Sequence, residues 1–228
     1  MLFDLQSPGR RRVVKLVYIT LAVLMGGGLI LFNIGGEQGG GGLADAFRES
    51  QTRGGDGTER FLQREQAALK ATRTRPREPE AYAALARTRF QLASVGDNFD
   101  PQQREYTAAG RQELRQATEA WEKHAELTKK PDTRVATLMA QAYIELGEPA
   151  AAARAQEYVT EDRNDAGSFA QLAAFAYAAG QARRGDLAAA RAVELSDPEQ
   201  RSGLRQQLEQ LKQQGAGTGV PATPEGGR

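Results

Sequence analysis

The 228-residue chain sets 30 lysines and arginines against 29 acids, a formal net charge of +1, and contains no cysteine. So even a balance excludes a nucleic-acid footprint, and the missing thiols exclude a disulfide scaffold and thiolate metal sites without fixing a redox compartment. A mean hydropathy of −0.56 with 40% hydrophobic residues says that soluble material dominates, so any membrane segment is local.

Such a segment opens the chain. Residues 1–15 carry Arg10, Arg11, Arg12 and Lys15 against the single acid Asp4, and residues 16–34, LVYITLAVLMGGGLILFNI, contain no charge. At 1.5 Å per residue that run is roughly 28 Å of helix, enough to cross the hydrocarbon core of a bilayer. The basic cluster before it and the scarcity of basic residues after it predict a cytoplasmic amino terminus and an extracytoplasmic remainder. Ala44-Asp45-Ala46 has the small-x-small form of a signal cleavage site, but it lies far beyond the apolar run, and that run is longer than a signal peptide's, so an uncleaved signal-anchor is the expectation. Ala22 and Gly26 have the spacing that lets membrane helices approach closely; a glycine-tolerant span is the plainer reading. Residues 35–57 are glycine-rich and read as a tether.

Helical patterning begins at 58–74, TERFLQREQAALKATRT, where Phe61, Leu62, Ala68, Leu69 and Ala71 make a modest apolar stripe and Pro76 and Pro79 end the element. Beyond it, Tyr82, Leu85, Ala86 and Phe90 form a set that returns at Val135, Leu138, Met139 and Tyr143 and again at Phe169, Leu172, Ala173 and Tyr177. Taking these as equivalent divides the chain into units of 79–131, 132–165 and 166–199, the last two repeating with a period of about 34 residues. Each unit reads as helix, turn, helix, with turns at Gly147-Glu148-Pro149 and Gly180-Gln181. Second-helix slots are filled by Ala117, Trp121 and His124, by Ala151, Ala155 and Tyr158, and by Gly185, Ala189 and Ala192.

The pattern of an aromatic, then Leu-Ala or a similar pair, a turn glycine, small residues in the second helix and Pro131 or Pro198 near the unit's end resembles the tetratricopeptide repeat. The aromatic which that family carries seven residues after the first is replaced here by Arg89, Ala142 and Ala176. The resemblance implies an all-α solenoid of about three repeats over residues 58–213, with 58–74 and a final helix as caps. In unit one, an insertion follows Phe90. Asp100-Pro101 looks like an N-cap and a first-turn proline, predicting a loop at 95–99 and then a long helix to about Lys129, with Gly110 as a weak point. That projecting piece is either a secondary contact surface or a harmless extension. Asp197-Pro198 repeats the signal and predicts a last helix to about Gln213 carrying Leu204, Leu208 and Leu211 on one face. The remainder, 214–228, is Gly/Pro-rich and expected to be disordered.

Catalytic chemistry is not expected. His124 is the only histidine and shares a stripe with Trp121, which is a packing position; no nucleophile set, metal-ligand set or phosphate loop can be assembled. No cofactor and no metal are therefore expected. What the resemblance implies instead is a concave groove lined by first helices. Its slots fall at Glu80, Ala83, Arg87, Phe90 and Gln91, at Thr133, Ala136, Ala140, Tyr143 and Ile144, and at Gly167, Ala170, Ala174, Tyr177 and Ala178. Phe90, Tyr143 and Tyr177 either face a bound peptide or edge the inter-helix core; helical geometry alone leaves both open. The functional expectation is a membrane-anchored protein–protein interaction scaffold on the extracytoplasmic side, accessory to protein export or envelope assembly. Other readings are an exported glycan- or cell-wall-binding domain and a homo-oligomeric structural protein.

Overall fold

A computed structural model describes residues 56–216. The expected span at 16–34, the tether up to residue 55 and the end of the tail lie outside the described residues; the first helix starts at Asp56, two residues inside the expected tether. Among the described residues no helix is long and apolar enough to cross a membrane. The chain divides into two compact units that separate between Arg163 and Asn164.

The first unit, 56–163, is a helical hairpin repeated. Helix α1 (Asp56–Thr74) packs on α2 (Pro79–Leu92); α2 pairs with α3 (Ala108–Leu127), and α4 (Thr133–Glu145) pairs with α5 (Pro149–Arg163). Helices α2 and α4 also touch, and α3 lies against α4. The starts of α3 and α4 have a local cause. Thr107 accepts from the Gly110 N–H at 3.2 Å, and Asp132 accepts from the N–H groups of Arg134 and Val135. Such caps satisfy amides that have no carbonyl partner within the helix. Gly147, at φ +80°, ends the turn after α4 in the left-handed conformation that glycine adopts without strain. Leu114, Val135, Met139 and Val159 are the largest apolar side chains fully enclosed in this unit. Each contributes about 1.5–3 kcal/mol by leaving water.

The second unit, 164–216, holds α6 (Ala166–Ala178), α7 (Ala182–Leu195) and α8 (Arg201–Ala216), each touching the other two. Asp165 caps α6 through the Ser168 N–H at 2.7 Å, and Gly180, at φ +72°, makes the turn into α7. Leu204 and Leu208 of α8 are buried as the periodicity requires, and Leu211 is half-buried.

Four expectations need correction. The insertion does not start a helix at Pro101. Residues Phe99–Asp100 (β1) and Glu105–Tyr106 (β2) pair antiparallel as a two-stranded hairpin, preceded by a 3-10 turn at Gly96–Asn98. Asp100 does accept amide hydrogens, from Gln102 and Gln103 at 2.8 and 3.1 Å, but it closes a turn. Arg104 at φ +56° then reverses the chain, and the rings of Phe99 and Tyr106 meet edge to face at 5.3 Å. The N-cap and proline signal is common to turns and helices, so a cross-strand aromatic pair decides between them. The fold is therefore all-α apart from this hairpin. The helix begins at Ala108, and Gly110 does not break it: a Cβ there would collide with the Asn98 carbonyl, so glycine permits the close approach of the 3-10 turn to α3.

The last helix likewise begins later than Pro198. Gln200 donates to the Asp197 carbonyl in a single turn, and α8 then runs past Gln213 to Ala216.

Finally, the middle unit is one residue out of step with the apolar sets. The interval from cap Asp132 to cap Asp165 equals that from the left-handed Gly147 to the left-handed Gly180, and both are one position shorter than the interval from Val135 to Phe169. The equivalent buried positions are Leu85, Met139 and Leu172, followed by Ala86, Ala140 and Ala173. A slip of one residue turns a side chain by about 100° on a helix, so matching by residue type had paired different faces.

Candidate functional site

The accessible side of the first helices follows from this register. On α2 the exposed or half-exposed residues Glu80, Ala84, Arg87 and Gln91 recur at helical spacing. Arg134, Leu138, Gln141 and Glu145 hold the same slots on α4; on α6 they fall to Gly167, Gln171, Ala174 and Ala178, of which Ala174 is buried. Within the first unit Arg87 donates to the Asp132 carboxylate at 3.2 Å, which ties α2 to the start of α4. Burial opposes ionisation of Asp132, but the N–H groups of Arg134 and Val135 and the Arg134 guanidinium outweigh it and hold the carboxyl below its ordinary range. Asp132 is thus an anion flanked by two arginines. The accessible row is polar, with Leu138 half-exposed within it.

Of the residues expected to line a groove, Glu80 is exposed, Arg87 has 42% of its side chain exposed, and Gln91, Thr133, Ile144, Gly167 and Ala178 are half-exposed. Ala136, Ala140, Ala170 and Ala174 are buried, and so are Phe90, Tyr143 and Tyr177. Of the two arrangements left open for the three aromatics, the inter-helix core is the one observed. Tyr143 donates its hydroxyl to Glu122 of α3 at 3.0 Å, whereas Tyr177 donates to Asp186 of α7 at 2.9 Å. The two tyrosines thus bind opposite neighbours, as the register slip requires. Burial, reinforced by the adjoining carboxylate, pushes both phenols well above their ordinary range. Asp186 also receives Lys212 of α8 at 2.8 Å, so one carboxylate joins all three helices of the second unit.

His124 is buried and bonded at both ring nitrogens. Nδ1 lies 2.8 Å from the Pro79 carbonyl, and Nε2 is 2.9 Å from the Asp132 N–H. The first contact requires Nδ1 to carry the hydrogen and the second requires Nε2 to accept, which fixes one neutral tautomer. The ring joins the start of α2, the end of α3 and the cap of α4. A histidine so engaged is an orienting element, with neither nitrogen open to a substrate.

Charge is also buried where α1, α2 and α3 meet. Arg89 pairs with Glu65 at 2.9 Å, both largely enclosed, and Glu113 stands beside them. Burial pushes the Glu113 carboxyl up; Arg89 offsets part of this and Glu65 adds to it. Glu145 is pushed up in the same way by burial, partly offset by Arg111. Among the described residues no cluster of three or more His, Cys, Asp or Glu side chains is placed to hold a metal ion.

The class of protein these features define is a set of α-helical hairpins in series whose open faces carry charged, amide and small apolar side chains. No protein-family model matches the chain, and no curated protein matches it.

Proposed function

We propose that the chain is a single-pass membrane protein whose repeated helical hairpins hold other polypeptides on the extracytoplasmic side, as a scaffold or adaptor. The observation that carries this reading is the accessible row shared by α2 and α4, Glu80, Ala84, Arg87 and Gln91 with Arg134, Leu138 and Gln141. The two rows lie on helices that touch, and their arginines flank the Asp132 carboxylate. Two arginines and two amides beside small apolar positions suit an extended peptide with acidic and amide side chains. The register supports the tetratricopeptide resemblance at one further point. With Tyr82, Ala136 and Phe169 equivalent, Tyr143 occupies the middle unit's slot seven positions on, where that family carries an aromatic.

The membrane part of the reading rests on the first 34 positions of the sequence, where a basic cluster precedes the uncharged run from Leu16 to Ile34. Nothing specific favours a glycan site, since the only tryptophan, Trp121, is buried against His124 and Tyr158.

In-cell photo-crosslinking from Arg87, Gln91, Leu138 and Gln141, with buried Ala140 as the control position, tests the binding face. Capture of a discrete protein from the accessible positions alone is the expected result. Equal capture from Ala140, or none from any position, would end the proposal. Protease protection of the carboxy-terminal unit in intact cells would end the topological part.

A further inference from the structure

We propose that the groove between α7 and α8 is the contact face for a second copy of this chain, entered by that copy's α8 running antiparallel. The groove encloses about 490 Å³, with Ala189, Ala190, Val193 and Leu208 as its floor and charged side chains on its rim.

Three observations converge on it. First, with the repeats aligned on their caps and turn glycines, Gly185, Ala188 and Ala192 of α7 match Ala152, Ala155 and Val159 of α5, and all six are buried. A second stripe behaves differently. Ala153, Gln156 and Thr160 of α5 are 0%, 0% and 5% exposed, whereas their counterparts Asp186, Ala189 and Val193 line the open groove. The same helix position that is covered in one repeat is uncovered in the next. Second, Leu187 of α7, 67% exposed, stands beside the groove without lining it. Small floor residues and an open leucine suit close approach of another helix.

Third, the rim identifies the occupant. Arg205 and Glu209 are exposed, stand one helical turn apart on α8 and both line the groove. A two-fold axis passing beside Gln207 sets Arg205 of each copy opposite Glu209 of the other, so the charge pattern is complementary to itself. Gln213 also approaches Glu209, at 3.5 Å. The chain's own tail is a poor match to the groove: residues 217–228 contain four glycines and two prolines, a composition unfavourable to helix. The inference rests on the second unit alone and is independent of the peptide-binding face proposed for α2 and α4.

The test uses the full chain in mild detergent, with protein mass measured by light scattering. The wild type is expected at twice the chain mass of 24.7 kDa. Arg205→Glu and Glu209→Arg, each alone, set like charges face to face at both contacts and should weaken self-association on the order of tenfold or more. Mixing the two variants restores opposite charges at both contacts and should return the dimer. As a second measurement, the chain has no native cysteine. Gln206→Cys, exposed and within one residue of the axis level, should therefore be joined to itself by a short bismaleimide, while Ser202→Cys should not. A monomeric wild type, a dimer indifferent to both charge variants, or a mixture that stays monomeric overturns the proposal. A monomer that captures some other protein's helix in this groove overturns it equally.

Discussion

Replacing Gly185 by alanine, beside the same change at Gly203, separates helix propensity from packing within one unit. Both glycines lie in helices of the second unit, so propensity alone favours alanine at both, by up to about 1 kcal/mol and by less in the first turn, where Gly203 lies. Nothing stands within 4 Å of a Cβ at Gly203, so the gain there should be realised, about 0.5 kcal/mol. At Gly185 the added carbon would fall on the ring of Tyr177. That ring cannot swing aside freely: it is 4% exposed, and its hydroxyl is held by Asp186, itself held by Lys212. A Cβ on the inner face of α7 at Gly185 must push the ring or part the helices. Overpacking of this kind costs about 1–3 kcal/mol, and losing the hydrogen bond to a carboxylate about 1.5–3 kcal/mol. The net expectation is destabilisation by about 1.5–5 kcal/mol after the propensity gain is subtracted. Urea unfolding followed by far-ultraviolet circular dichroism reads both variants. If Gly185→Ala raised the midpoint as much as Gly203→Ala, the close approach of Tyr177 to α7 would be wrong.

Two further outcomes are expected. His124→Leu keeps the volume but leaves the Pro79 carbonyl and the Asp132 N–H without partners, and should cost about 2–5 kcal/mol; a cost below about 1 kcal/mol in a denaturant titration would show that the ring is mere filler. Glu113 and Glu145 are pushed up by burial, so the folded chain keeps protons that the unfolded chain has released. Their contribution to stability should therefore fall as pH rises from about 4.3 into their raised range, and level off above it. Asp132 and Asp186, held low, act the other way, and their contribution is lost only as pH falls below the ordinary aspartate range. In Glu113→Gln the decline above pH about 4.3 should shrink, read as the urea midpoint across a pH series; an unchanged slope would refute the assignment.

Much of the helical order was legible without coordinates because its causes are local. Apolar residues at i, i+3 and i+4, proline before α2 and α5 and glycine after α4 and α6 act within one or two turns of the chain. The turns between α4 and α5 and between α6 and α7 follow from them. So does the role of His124 as a packing residue, since a lone histidine on a stripe with Trp121 has no partners with which to do chemistry.

What the sequence could not determine turned on a single residue of register or on contacts between distant segments. Asp100-Pro101 satisfies the same amides whether a turn or a helix follows, and only the meeting of Phe99 with Tyr106 selects the turn. Matching aromatics by type set Val135 beside Phe169, whereas the caps and turn glycines set Ala136 there. With a rotation of about 100° per residue, that slip decides which side chains face solvent. Tyr143 therefore meets α3 where Tyr177 meets α7, and Arg134, Leu138 and Gln141 were left on the surface. The buried trio of Glu65, Arg89 and Glu113 comes from three helices, and no spacing along the chain announces it. Hydrogen bonds and caps act over a few residues and leave a trace in the sequence; which face of a helix meets its neighbour is fixed by packing, and only the folded chain records it.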